Sequence, residues 1–171
     1  MTRPAGPQQA AFPELIERHA DVLHKVARAY CPFAAQRPDL IQEMTIALWR
    51  SFERYDTSRP FATWMYRIAL NVAISFFRSE SRHVERLAPL DDVATAGDAT
   101  SDDPRVGTLL ECIHGMGPLD KALVLMYLDG YSHADIAGVL GITPSNAATK
   151  LARVKERLRA TMTHQPKGAT P

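Results

Sequence analysis

The 171-residue chain has little of several things, and each shortage narrows what it can do. No run of about 18 or more apolar residues occurs, so no helix is expected to cross a membrane. The start, Met1 to Ala11, carries one arginine, two prolines and no apolar core of the signal-peptide type; a cytoplasmic protein is the expectation. The two cysteines, Cys31 and Cys112, lie far apart and belong to no Cys-x-x-Cys pair. Neither a disulfide framework nor a zinc site is suggested, and buried or idle thiols are expected. Six histidines (His19, His24, His83, His114, His133, His164) form no His-Glu-x-x-His or comparable spacing, and no glycine-rich phosphate loop precedes a helix. Catalytic residues, metal and cofactor are therefore each expected to be none, and the chain is not expected to be an enzyme.

What is present is the composition of a folded protein, 46% hydrophobic and 23% charged, with length enough for two small modules. A net charge of +1 alone would argue against nucleic acid, but the charge is segregated. Asp91, Asp92, Asp98, Asp102 and Asp103 crowd one stretch without a basic residue, while Lys150, Lys155, Arg153, Arg157 and Arg159 share another with only Glu156.

Helical spacing dominates. Pro13 opens a first helix whose Leu15, Ile16, His19, Val22, Leu23, Val26 and Tyr30 recur to Cys31-Pro32. Pro38 opens a second, with Ile41, Met44, Leu48, Phe52 and Tyr55 on one stripe. Pro60 starts a third, where Phe61, Trp64, Ile68, Val72 and Phe76 repeat to about Ser81. Periodicity lapses from Arg82 to Val106, apart from a helical start around Val84 to Leu87. It resumes in Thr108 to His114 and after Pro118, and Gly130 ends that second helix. No segment alternates convincingly with period two, and no internal repeat is visible. The fold class is all-α: two small helical domains joined by a flexible acidic linker. The divisions are a lead 1–11, a domain 12–82, the linker 83–106, a domain 107–160 and a tail 161–171.

The most specific local signal runs from Tyr131 to Leu158. Ser132-His133-Ala134-Asp135 has the shape of a capping box, Ile136, Val139 and Leu140 supply an inward face, and Ala137 leaves room for a second helix. Gly141-Ile142-Thr143 makes a tight turn, Thr143 can cap the next helix, and Pro144 suits its first turn. This is a helix-turn-helix. In such motifs the second helix enters the major groove, which makes Ser145, Asn146, Thr149, Lys150 and Arg153 candidates for base edges. Lys155, Arg157 and Arg159 are placed for phosphates. A merely solvated basic helix is the alternative.

A second constellation interleaves Tyr55, Phe61, Trp64, Tyr66, Phe76 and Phe77 with Arg59, Arg67, Arg78 and Arg82, as suits a surface that holds unstacked bases. Periodicity assigns Phe61, Trp64, Ile68, Val72 and Phe76 to one inward face, so Trp64 stays open between core and stacking surface. The loop 56–59 and the opposite face, with Thr63, Arg67, Asn71 and Arg78, are the better candidates for DNA contact.

Asp39-Leu40-Ile41-Gln42-Glu43, Ala47-Leu48-Trp49-Arg50 and Phe61 to Asn71 closely resemble the second region of extracytoplasmic-function sigma factors, and Leu119 to Leu158 resembles their fourth. The order matches too, over about Phe12 to Arg159. The resemblance implies a transcription initiation subunit that binds core RNA polymerase, directs it to promoters and helps melt the -10 element. It implies polymerase contact, on the clamp helices of the largest subunit, through Asp39, Gln42, Glu43, Ile46, Trp49 and Arg50. It implies -10 contact through Thr57, Ser58, Arg59, Thr63, Trp64, Arg67, Asn71 and Arg78, with a flipped base captured at the 57–59 loop. Duplex reading of the -35 element falls to Ser145, Asn146, Thr149, Lys150, Arg153, Lys155 and Arg157. The flap of the second largest subunit, promoter DNA and an anti-sigma factor complete the implied partners, with no membrane insertion. The acidic linker suits a basic RNA exit channel, and ordinary solvated-linker chemistry explains it equally well. Ala147-Ala148 stands where many relatives carry Val-Lys, so base preference is not carried over. Two other accounts remain: a conventional helix-turn-helix regulator would bind duplex DNA without polymerase, and an adaptor would bind no DNA.

Overall fold

The computed structural model describes residues 11–87 and 104–164, with side chains described over 11–80 and 105–161. The acidic run 91–103, nearly all of the lead and most of the tail lie outside the described residues. The described residues are helical and contain no strand. They fall into two compact units, as the lapse of periodicity implies.

The first unit holds α1 (Phe12–Arg18), α2 (Ala20–Tyr30), α3 (Arg37–Ser51) and α4 (Phe61–Leu87), with a 3-10 turn at Phe52–Arg54; another, Ala34–Gln36, precedes α3. Its first helical segment is not continuous, as the spacing predicts, but breaks at His19, where φ is -116° and ψ 18°. The His19 N–H is shared between the Leu15 and Ile16 carbonyls at 3.2 Å each, and its ring tilts against Phe61 at 5.5 Å between centroids. Before the break α1 lays Phe12 between Trp49 and Phe52, and after it Val22, Leu23, Val26, Ala27 and Tyr30 of α2 are buried. The turn into α3 is fixed by Arg37, which is buried and donates from Nε to the Cys31 carbonyl at 3.0 Å. Cys31 is buried and Cys112 half-buried, both as free thiols.

The core face of α4 differs from the expected one. Phe61, Met65, Tyr66, Ala69, Leu70 and Ala73 are buried, whereas Trp64, Ile68, Val72 and Phe76 are half-buried along its flank. The physical reason is clearance: small Ala69 and Ala73 let α2 and α3 close in, while larger rings cover the seam. On α3 the buried stripe is Leu40, Met44 and Leu48, continuing to Phe52, with Ile41 only half-buried.

The second unit holds α5 (Pro104–His114), α6 (Pro118–Leu128), α7 (His133–Leu140) and α8 (Pro144–His164). The first of these begins four residues before Thr108, with Pro104 in the first turn. Ala122 to Met126 of α6 are buried and form the centre, with Ile113, Ile136, Val139, Leu151 and Val154 around them. Lys121 is buried there too, at 1% exposure, and burial pushes its amine down to about 8.

Candidate polymerase and nucleic-acid interfaces

On the first unit, all six residues of the expected polymerase-facing set are exposed on α3: Asp39, Gln42, Glu43, Ile46, Trp49 and Arg50. Their three- and four-residue spacing confines them to an arc of about 120° running roughly 17 Å along the helix. Ile46 is 41% and Trp49 42% exposed, a pair of large apolar side chains set among carboxylates, an amide and a guanidinium. That mixture of anchors and polar rim is what a protein-docking face requires. Trp49 is held from behind by Phe12, edge to face at 5.1 Å, a contact missed by sequence reasoning because Phe12 lies 37 positions away in the chain.

Phe12 also meets Phe52 at 5.0 Å, and from there a ring cluster continues through Tyr55, Phe61 and Trp64. Trp64 is half-buried and packs on Phe52, Tyr55 and Phe61 at 6.0, 4.9 and 5.4 Å. Its two readings are thus both physical: one face belongs to the cluster and the remainder reaches solvent. Thr57, Ser58 and Arg59 are exposed in the loop leading into α4. Asp56 shapes that loop, accepting at Oδ1 from the Ser58 N–H at 3.0 Å and lying 3.6 Å from the Arg59 guanidinium. The Ser58 hydroxyl and N–H hold the Asp56 carboxyl below its ordinary range.

Along α4, Arg67, Asn71 and Arg78 are exposed and Thr63 half-buried, and their spacing puts all four on the side opposite the core. Between α3 and α4 lies a groove of about 600 Å³ lined by Glu43, Asn71, Val72, Ser75, Phe76 and Ser79. It brings Glu43 of the expected polymerase set close to Asn71 of the expected DNA set.

In the second unit the turn chemistry is as the sequence implies. Ser132 Oγ accepts from the Asp135 N–H at 3.1 Å, and the Asp135 carboxylate accepts in return from the Ser132 N–H at 3.3 Å. Gly141 has φ of +68°, and the following Ile142 N–H reaches back to the Ala137 carbonyl at 3.1 Å, closing α7. Thr143 Oγ1 accepts from the Asn146 N–H at 3.1 Å and so caps α8. Ala137 and Ala147, 2% and 0% exposed, mark the close approach of α7 and α8.

Ser145, Asn146, Thr149 and Arg153 are exposed on one face of α8, with Lys150 half-buried on its flank. Lys155 and Arg157 behave otherwise. Lys155 lies on the far side of the helix, where Nζ donates to the Tyr127 hydroxyl at 3.1 Å and sits 4.7 Å from that ring's centroid. Arg157 Nη1 is 3.3 Å from Asp120 Oδ2 of α6. Asp120 and Tyr127 were not singled out as partners in the sequence; helical angle places Lys155 beside buried Val154 and Leu151, but nothing local names what it meets.

The comparisons with known proteins bear on both units. The family model for Sigma-70 region 2 matches residues 15–83, and that for Sigma-70, region 4 matches residues 107–158. RNA polymerase sigma factor CarQ of Myxococcus xanthus is 32% identical, covering 88% of each chain. CnrH of Cupriavidus metallidurans, another RNA polymerase sigma factor, is 28% identical over 91% of this chain and 88% of its own. The ECF RNA polymerase sigma factor SigM of Mycobacterium tuberculosis is 27% identical over 86% and 75%. Among solved structures, the sigma factor RpoE in complex with the anti-sigma factor NepR from Bartonella quintana shares the fold. Its TM-score is 0.75 at 16% identity, over 91% of this chain and 98% of that one. With two sigma-70 regions in order on two helical units, and a relative matched nearly end to end, the chain belongs to the extracytoplasmic-function group of RNA polymerase sigma factors.

Proposed function

We propose that this sigma factor docks core polymerase through the exposed arc of α3 and opens the -10 element with the 57–59 loop and the outer side of α4. It reads the -35 duplex with the N-terminal half of α8. The observation that carries this reading is the α3 arc, where Ile46 and Trp49 stand exposed among Asp39, Gln42, Glu43 and Arg50 in a unit whose other large rings are mostly packed. Thr63, Trp64, Arg67, Asn71 and Arg78 follow the single strand, with Trp64 offering its open face to a base. Ser145, Asn146, Thr149, Lys150 and Arg153 meet the duplex directly. Lys155 and Arg157 are tied to α6 and take a lesser part than their charge implies.

The protein acts by binding alone, performs no chemistry of its own, and works in the cytoplasm beside the polymerase. Its second unit also meets the flap of the polymerase's second largest subunit. An anti-sigma factor holds it until a signal arrives, by analogy with the RpoE–NepR complex whose fold it shares.

The test is transcription in vitro by core polymerase from the source organism, with and without this protein, on a pool of genomic promoter fragments. New start sites that disappear on Arg67→Ala or Lys150→Ala are expected. Duplex binding without polymerase binding or new start sites would make the chain a conventional regulator and overturn the assignment of residues 39–71.

A further inference from the structure

The loop between α3 and α4 is held in shape from two sides. From the solvent side come the Asp56 contacts: the Ser58 N–H on its carboxylate, the Arg59 N–H on its carbonyl at 3.0 Å, and the exposed ion pair with Arg59. Exposed pairs of this kind constrain geometry weakly. From the protein side comes Tyr55, whose Oη donates to the Arg59 carbonyl at 2.6 Å. The Tyr55 ring is itself clamped, stacked on Phe52 at 5.8 Å with 17° between planes, and against Phe61 and Trp64 at 5.5 and 4.9 Å. The hydroxyl therefore ties the exit of an exposed loop to the packed rings. Burial of the phenol, with Asp56 nearby, raises its pKa above the ordinary value, so it remains a donor at neutral pH.

We propose that Tyr55 is a positioning residue for promoter opening: the bond from its hydroxyl to the Arg59 carbonyl presets the 56–59 loop, so Thr57, Ser58 and Arg59 meet an unstacked non-template base already in register. This rests on the reading of that loop as the strand-capturing surface. A loop ordered in advance loses no further backbone entropy when DNA arrives, and the whole benefit appears as tighter single-strand binding. Phenylalanine would fill the same space among Phe52, Phe61 and Trp64 but has nothing to donate, which separates the ring's packing role from the hydroxyl's.

The experiment uses holoenzyme reconstituted with the wild type, Tyr55→Phe or Arg59→Ala. Its affinity for a single-stranded non-template oligonucleotide spanning the -10 element of a promoter found as above is read by fluorescence anisotropy. Tyr55→Phe is expected to weaken the oligonucleotide about fivefold, the size of one lost hydrogen bond, and to lower the melting midpoint by a few degrees, with core polymerase affinity unchanged. Unchanged oligonucleotide affinity in Tyr55→Phe beside a weakened Arg59→Ala overturns the positioning role and leaves the loop's role intact. No change in either variant removes the strand-capture reading, and the inference with it. A matching loss of core polymerase affinity in Tyr55→Phe makes the hydroxyl a support of the whole unit and overturns the inference as well.

Discussion

The two units expose their proposed contact side chains by different physics. In the first, helices are aimed by a cluster of rings: Phe12, Phe52, Tyr55, Phe61 and Trp64 fill the space behind Trp49 and below the 56–59 loop. In the second, helices are aimed by backbone devices, a capping box at Ser132, a left-handed Gly141 and a hydroxyl cap at Thr143. A surface set by packing fails when volume is removed. One set by backbone angles fails when a single residue cannot adopt its dihedral.

The sharpest way to break that contrast is Phe52→Ala. It removes the ring that Phe12, Tyr55, Phe61 and Trp64 share, and large-to-small changes of this kind cost about 3–5 kcal/mol. Core polymerase affinity should fall at least tenfold in a pull-down titration while duplex binding by the second unit persists. Equal loss of both would end the idea that the units are built separately. Gly141→Val is the counterpart. At φ of +68° a β-branched residue is strained by about 1–2 kcal/mol, so duplex affinity should drop severalfold with polymerase affinity kept. A Gly141→Val protein that binds duplex normally would show that packing aims α8 after all. The smallest effect is expected from Asp120→Asn, which releases Arg157. Duplex affinity should rise about twofold and the log-log salt slope steepen by up to roughly 0.9; an unchanged slope means Arg157 never reaches phosphate.

The second unit was the more legible in the sequence, because caps and left-handed turns are written in single residue types. Ser132, Asp135, Gly141, Thr143 and Pro144 each announce a local geometry, and each sits where that geometry occurs. The first unit was legible in its helices and in its exposed α3 arc, but less so in its core. Spacing alone cannot tell whether Trp64, Ile68, Val72 and Phe76 or the neighbouring Met65, Ala69 and Ala73 face inward, since both rows have helical period. The answer depends on how closely α2 and α3 approach, a tertiary fact. The break at His19 was hidden for the same reason, as it answers to Phe61 more than forty positions later. Lys155 and Arg157 were read as phosphate contacts from charge, and their partners on α6 are equally non-local.

Those two contacts make cations of α8 into struts as well as signals. Lys155 on Tyr127 and Arg157 on Asp120 brace α8 against α6. Dissolved ions that screen the helix from DNA also screen the Arg157–Asp120 pair. The salinity of the medium thus acts on this helix through two routes of opposite sign: ions weaken its attraction to phosphate while releasing Arg157 to reach it.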